Sequence, residues 1–527
     1  MSGFLTELLE HYHLTLKDLA CRKAPGSFDV LKRPDGLGDY EKALARIRLA
    51  LSKHEKIVLY GDYDVDGLTA TAILKSTFDK LNYPVGYFIP SRYHEGYGLC
   101  SSRVEDFHKK GYSLVITLDN GITAFDAIAK AHKDGMDVVV IDHHEPQATL
   151  PEVAALFHQG LSGFLDYNCS AASLAFFVSW SLLGRPDPYF ATLAGIAVFS
   201  DVMPLCGNNL VLAKLALSYL KQNRYPNLVS LLKGGEISYD ALSFALIPSL
   251  NAVGRIRKEP MATNEACRFL IEKDAPETVA KLGQKILDAN DERKQIVRSM
   301  TFLDSFRLES DHGLVLRTAG YGGISGLIAN RILKEQKKGT LVLAPDDNNP
   351  DVLVGSLRLL EGYDSQPFLK EAQHYLLTSG GHSLASGLTL KAKDYYQVAT
   401  LFLTVLEKEA LEVTPAQEDT LPLALEDLNE ANYEDYQSFL PFGEGFPAPV
   451  FAITVDSSSV TRLASGKAIV ALSADKGSKI LYFGDSELVG QERYASFTFT
   501  GSFTRETYQG QTTYELLAHT ISGNLQE

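Results

Sequence analysis

The chain has 527 residues, 45% of them hydrophobic and 22% charged, with a formal net charge of −15 at pH 7. This length exceeds one ordinary core and predicts three or four domains, and no apolar run is long enough to span a bilayer. The acidic balance argues against a broadly basic nucleic-acid-binding surface, so any track for a polyanion must be a local groove. Five scattered cysteines (Cys21, Cys100, Cys169, Cys206 and Cys267) lack the spacing of a disulfide framework or a zinc knuckle. The start, MSGFLTELLEHYHL, has no basic stretch followed by an apolar one; a cytoplasmic location is expected.

Residues 1–50 are predicted helical, with a basic bias from Lys17, Arg22, Lys23, Lys32 and Arg33. The stretch KIVLYGDYDVDG (56–67) then reads as a buried strand ending in Asp62, Asp64 and Asp66, closed by Gly67. Three carboxylates crowded at one strand end repel one another unless a multivalent cation sits among them. The alternative is a solvated acidic turn capping the next helix.

From 56 to about 145 strands and helices alternate, which predicts a doubly wound parallel sheet. LTATAILKSTFDKLN is a helix with Leu68, Ala72, Leu74 and Phe78 inward. VGYFIP is a strand running into SRYHEGYG, SLVITLDNG one ending at Asp119, and MDVVVIDHHE one ending at Asp142, His143 and His144. All these ends fall on the carboxyl edge, where open α/β sheets place ligands. The donors outnumber the needs of one hard cation, and carboxylates with imidazole suit Mn²⁺ or Mg²⁺ better than structural zinc. A two-metal site of this kind serves phosphate-ester hydrolysis.

GDYDVDG, LDNGI, VVVIDHHEP and FSDVMPL, in this order, resemble the four motifs of the DHH phosphoesterase superfamily. With NAVGRI (251–256) and SGGHSLASGLTL (379–390) the pattern is similar to the RecJ group of single-strand-specific exonucleases. The resemblance implies metal ligands at Asp64, Asp66, Asp119, Asp142, His143 and Asp201, with Asp119 bridging. It implies catalytic roles for Asp62, Asp142, His143 and His144. Asp201, a lone acid after a small-residue helix, is singled out by the resemblance alone. Substrate phosphates would meet Arg92, Arg255, Ser356, Arg358, Gly380, Gly381 and His382. Leu357 departs from the family pattern, which has a small residue between the serine and the arginine.

The expected fold is α/β: a parallel-sheet DHH domain joined by a long helix to a second α/β (DHHA1) domain, followed by a C-terminal OB-type β-barrel. The boundaries are a helical segment at 1–50, the DHH domain at 51–255, the connecting helix at 256–306, the DHHA1 domain at 307–415, an acidic linker at 416–436 and the barrel at 437–527. Phe497, Phe499, Phe503, Arg505, Tyr508 and Tyr514 are available to stack bases, but strand alternation must turn half of such a set inward. The function so implied is a metal-dependent 5′-to-3′ exonuclease of single-stranded DNA in recombination and repair. The alternatives are a DHH phosphodiesterase of short oligonucleotides or signalling dinucleotides, and an inactive scaffold binding single strands or replication partners. Single-stranded DNA is the expected partner, with room for a single-strand-binding protein or a helicase, and no membrane.

Overall fold

In the computed structural model of the chain the apolar run Ile57–Tyr60 is strand β1, buried at every residue. It lies inside a five-stranded parallel sheet with β2 (Gly86–Phe88), β3 (Leu114–Leu118), β4 (Asp137–Ile141) and β5 (Ala155–Phe157), in the order β2-β1-β3-β4-β5. β3 and most of β4 are likewise buried, as continuous Val/Ile/Leu runs covered on both faces require. The short edge strand β5 was not among the expected elements; its run Ala155–Phe157 has no β-branched residue. The structure describes residues 2–299, 306–320, 322–410, 419–462, 469–472, 478–484, 489, 493–508 and 510–525.

The helix Val65–Lys80 starts directly at the acidic loop and packs against the apolar helices Ala171–Leu183 and Pro188–Ser200. Two glycines allow this tight geometry. A Cβ on Gly67 would stand 2.5 Å from the Asp62 amide, and one on Gly254 would stand 2.8 Å from the Tyr63 carbonyl. The connection expected as one helix over 256–306 consists of two, Ala262–Ile271 and Pro276–Ser299, separated by a short turn; residues 300–305 lie outside the described residues.

A second sheet, within the same unit Gly26–Ala416, runs β10-β11-β9-β8-β7-β6. Its strands are β6 (Leu308–Glu309), β7 (Gly313–Arg317), β8 (Gly339–Pro345), β9 (Val352–Arg358), β10 (Leu376–His382) and β11 (Ala385–Lys391). β7 and β8 are parallel, joined across the helix Ser325–Gln336, and the remaining pairs are antiparallel. Leu357 sits within β9 and is fully buried among Leu341, Phe368, Leu388 and Phe402. Strand alternation therefore turns it away from Ser356 and Arg358, so its bulk does not obstruct them.

The other unit combines Met1–Pro25 with Gln417–Glu527. This corrects the expectation of one helical segment over 1–50: Phe4, Leu8, Leu9 and Leu19 share a core with Tyr436, Phe451, Phe499 and Phe503. The stretch read as a linker over 416–436 is also structural from Thr420 on. It supplies β12 (Thr420–Leu423), the buried Leu428 and most of the helix Glu430–Gln437. β13 (Val450–Asp456), β14 (Val460–Arg462), β15 (Ile469–Leu472), β16 (Ser478–Tyr482), β17 (Tyr494–Tyr508) and β18 (Gln511–Leu525) complete an OB-type sheet. Substituting Leu357→Ala should lower stability by about 2–5 kcal/mol in denaturant titrations, through the cavity left in the second sheet's core.

Candidate metal centre

The acids of the first motif leave β1 in different directions. Asp64 caps the helix Val65–Lys80, its Oδ1 accepting the Gly67 amide at 3.1 Å. Asp66 is fully buried and accepts the Ala171 and Ala172 amides at 2.6 and 2.8 Å, so its charge lies at the positive N-terminus of the helix Ala171–Leu183. Asp62 is also buried, yet its Oδ1 has no hydrogen-bond partner among the described residues. A buried carboxylate oxygen without a donor is what a cation site leaves open.

The neighbouring strand ends complete the cluster. Asp119 follows β3 in a left-handed conformation (φ 65°), which aspartate tolerates better than most residues, and its amide still bonds to Ile141 at 3.0 Å. Beside it the Asn120 amide donates to the carbonyls of Leu118 and Gly61, tying the ends of β3 and β1 together. The His143 Nε2 lies 3.1 Å from Asp119 Oδ1, 3.1 Å from Asp201 Oδ2 and 3.6 Å from Asp66 Oδ2. Asp201 reaches this point from the C-terminal end of the helix Pro188–Ser200, followed by Val202 in a strained left-handed conformation (φ 52°).

Three groups could each hold an ion: Asp62, Asp64 and Asp119; Asp66, His143 and Asp201; and Asp119, His143 and His144. Asp119 and His143 are each shared by two of them. Asp142, expected among the ligands, is in none. Its Oδ2 accepts the Ile122 amide at 3.0 Å, and its Oδ1 accepts the amides of His143 and His144 and the His144 Nδ1–H at 2.8 Å. With both oxygens so engaged, Asp142 orients the His144 imidazole and holds the main chain of His143.

The electrostatics follow from crowding. Burial, then the nearby acids, pushes the carboxyls of Asp62, Asp66 and Asp119 well above the usual range, and burial with Asp64 raises Asp201 to about 7. Asp142 goes the other way. Burial would raise it, but the hydrogen bond and charge of His144 and the Ile122 amide outweigh that and hold it at about 2. Burial would lower His144, and its bond to Asp142 instead raises it to about 9; burial, then the charge of His144, lowers His143 to about 4.

The expected phosphate-binding residues follow a seam leading away from this cluster. The Arg92 guanidinium stacks 4.5 Å over the Tyr63 ring, and its buried Nε has no hydrogen-bond partner. Burial, then the charge of Arg92, pulls Arg255 down to about 10, as expected of two neighbouring guanidiniums. NAVGRI is built for this place. Asn251 Oδ1 accepts the Val65 amide at 3.0 Å, Gly254 packs on Tyr63, and the Arg255 carbonyl accepts the Tyr93 hydroxyl. Gly323, from the part of the chain that carries the second sheet, closes on that same carbonyl, and Asn348 donates to the Tyr93 carbonyl at 2.6 Å.

Two residues after Gly323, Ser325 bonds to Ser356 at 3.0 Å, and Gly326 leaves room for the Arg358 guanidinium. The register across β9, β11 and β10 puts Arg358, Ala385 and His382 in one row, and Ser356, Gly387 and Gly380 in the next. Ser356, Arg358, Gly380 and His382 thus share one face, while Gly381 (φ 137°) sits opposite Ser386 in the other set. Ser325, Gly326 and Tyr97 are additions to the expected set. The glycine-rich GGISG before a helix signals the first two. Tyr97, whose hydroxyl lies 3.3 Å from His144 Nε2 and donates to the Asp119 carbonyl, belongs to the same loop as Arg92.

Residues 56–195 match the DHH family, N-terminal domain, and residues 420–520 match the RecJ OB domain. The single-stranded-DNA-specific exonuclease RecJ of Bacillus subtilis (strain 168) is 32% identical over 424 residues, 78% of this chain and 53% of that protein. Its counterpart from Thermus thermophilus is 29% identical over 495 residues, 90% of this chain and 70% of that protein. The crystal structure of RecJ from Thermus thermophilus in complex with Mn²⁺ superimposes with a TM-score of 0.81 at 25% identity, covering 98% of this chain and 76% of that one. The chain thus carries a DHH domain and a RecJ-type OB domain and is similar to RecJ proteins along most of its length. It spans about half the length of the Bacillus subtilis relative. A structure of exonuclease RecJ bound to manganese superimposes with a TM-score of 0.61 at 28% identity, over 72% of this chain and 98% of that one.

In the barrel unit Phe497, Phe499 and Phe503 are buried core residues. Tyr514 is half-buried against Tyr433, and the Arg505 guanidinium lies 5.5 Å over the same Tyr433 ring; the Tyr508 side chain lies outside the described residues. Among the described helices none is long and apolar enough to cross a membrane.

A pH dependence follows from the raised carboxyls. Between about pH 4, where an unfolded aspartate ionises, and about 7, the value for Asp201, the folded state holds protons that the unfolded state has released. Stability in EDTA should therefore fall as pH rises through that window. A divalent cation that replaces those protons should restore it, so the Mn²⁺-induced rise in Tm should grow from the acid to the neutral end. A rise in Tm independent of pH would contradict the cluster as the binding site.

Proposed function

We propose that the chain is a metal-dependent exonuclease that hydrolyses single-stranded DNA from the 5′ end, acting in recombination and repair. The observation that carries this reading is the set of three donor groups sharing Asp119 and His143 at the carboxyl edge of the first sheet. Asp62, Asp64, Asp66, Asp119, His143 and Asp201 would hold a pair of Mn²⁺ or Mg²⁺ ions. The donor chemistry fits these hard cations, and the partnerless Asp62 Oδ1 supplies a free ligand atom. Bound there, the ions would supply a nucleophilic hydroxide and neutralise charge on the phosphoryl group.

The chain's own residues do the rest. Asp142 keeps the Nδ1–H of His144 in place and the imidazole charged, beside the Tyr97 hydroxyl. Arg92 and Arg255 would grip the phosphate next to the scissile one, since each guanidinium offers forked donors, the two stand near each other and the buried Arg92 Nε is unpartnered among the described residues. Ser325, Ser356, Arg358 and His382 would fix a further phosphate across the seam, and this spacing would hold the strand in register for in-line attack. The 5′-to-3′ polarity and the preference for DNA rest on the likeness to the RecJ relatives.

Digestion of a long single strand labelled at one end or the other, with Mn²⁺, Mg²⁺ or EDTA, tests the proposal. Mononucleotides should appear from the 5′ end, only with metal; release from the 3′ end, or cutting in EDTA, would reject it. Asp119→Ala should abolish hydrolysis, and an unchanged rate would point to a scaffold. Arg358→Ala should raise KM more than it lowers kcat, because its contact is remote from the reacting phosphorus. Activity confined to dinucleotides would favour the signalling-dinucleotide reading.

A further inference from the structure

We propose that His158 is a positioning residue for the metal centre, holding the turn that carries His143 and His144 through the main chain; this rests on the metal-dependent reading above. His158 directly follows the edge strand β5. Because Ile141 pairs with Phe157, Asp142 and His158 leave the sheet side by side, and the Asp142 amide bonds to the Phe157 carbonyl at 3.2 Å. The imidazole is 5% exposed and touches none of the clustered carboxylates within hydrogen-bond distance.

Its two nitrogens have different partners. Nδ1 faces the amides of Gly160 at 3.2 Å and Leu161 at 3.3 Å. Two N–H donors aimed at one ring nitrogen require a lone pair there, so the ring carries its proton on Nε2. Nε2 lies 3.1 Å from the His144 carbonyl and donates to it. The loop behind the ring is closed on itself, with the Ser162 amide and hydroxyl bonded to the His158 carbonyl at 3.0 and 2.5 Å and the Phe164 amide to that of Gln159 at 2.9 Å.

His144 is thereby held at both ends of its peptide. Its amide and Nδ1–H rest on Asp142, and its carbonyl rests on His158. Release of the carbonyl would let the turn rotate, and with it the His143 Nε2 that lies within 3.6 Å of three carboxylates. Partners one step removed from metal ligands commonly set affinity in this manner.

Two substitutions separate the two ends of the ring. His158→Asn retains an acceptor where Nδ1 stands but cannot reach the His144 carbonyl, whereas His158→Gln retains an N–H where Nε2 stands. The full-length protein is titrated with Mn²⁺ alone by calorimetry, and kcat is measured on single-stranded DNA. His158→Asn should weaken Mn²⁺ binding and lower kcat by about tenfold or more each, with its Tm in EDTA close to the wild-type value. His158→Gln should restore most of both. Equal behaviour of the two variants, or wild-type Mn²⁺ affinity in His158→Asn, would overturn the proposal. Loss of the fold in His158→Asn would assign the residue to loop structure and overturn it as well. Absence of Mn²⁺ uptake by the wild-type protein is a separate result that rejects the metal-dependent reading itself.

Discussion

Everything in the first domain answers to one constraint: several carboxylates are gathered, largely buried, at a single sheet edge, where like charges at interior dielectric are costly. The fold manages each one differently. Asp66 is placed on a helix N-terminus, Asp142 is saturated with amides and an imidazole N–H, and Asp64 caps its own helix. Asp62 has no such relief at Oδ1, and Asp119 and Asp201 face one imidazole nitrogen. The helix Ala171–Leu183 is apolar almost throughout, so its N-terminus is free to serve Asp66 without disturbing its packing.

The same constraint explains the seam to the second domain. A site rich in carboxylates would repel a polyanion unless cations stand beside it, and in the proposed function Arg92 and Arg255 would be those cations. Their position depends on backbone contacts. Tyr93 bonds to the Arg255 carbonyl, Gly323 closes on the same atom, and Asn251 secures the first residue of the helix that follows the acids. The contacts run on through Ser325 to Ser356 and Arg358, linking strands far apart in sequence by short steps.

Much of the first domain was legible because buried parallel strands are continuous apolar runs that stop abruptly at polar residues. β1, β3 and β4 and the acids after them could be read directly, and their convergence followed from topology. β5 was missed, and with it His158, because Ala155–Phe157 has no β-branched residue, unlike the equally short β2, whose stretch VGYFIP includes Val85 and Ile89. The helix near 256–306 was read too long because its apolar spacing continues across the break before Pro276. The N-terminal helices were read as one segment over 1–50, since the apolar face of Phe4, Leu8 and Leu9 shows that something is buried without showing against what. The inward direction of Phe497, Phe499 and Phe503 was likewise undecidable from alternation alone.

What the sequence by itself determined was local: which residues form the longer strands and which of those strands end in acids. Tertiary structure decided the roles. Asp142 and Asp119 look alike as strand-end acids, yet one is filled by N–H donors and the other is left facing imidazole and carboxylate. Asp201 became part of the site only because the helix Pro188–Ser200 ends against His143. Leu357, which looks like an obstruction in the chain, is harmless because β9 turns it into the core. A carboxylate's function depends on which donors surround it, and those donors come from segments that only folding brings together.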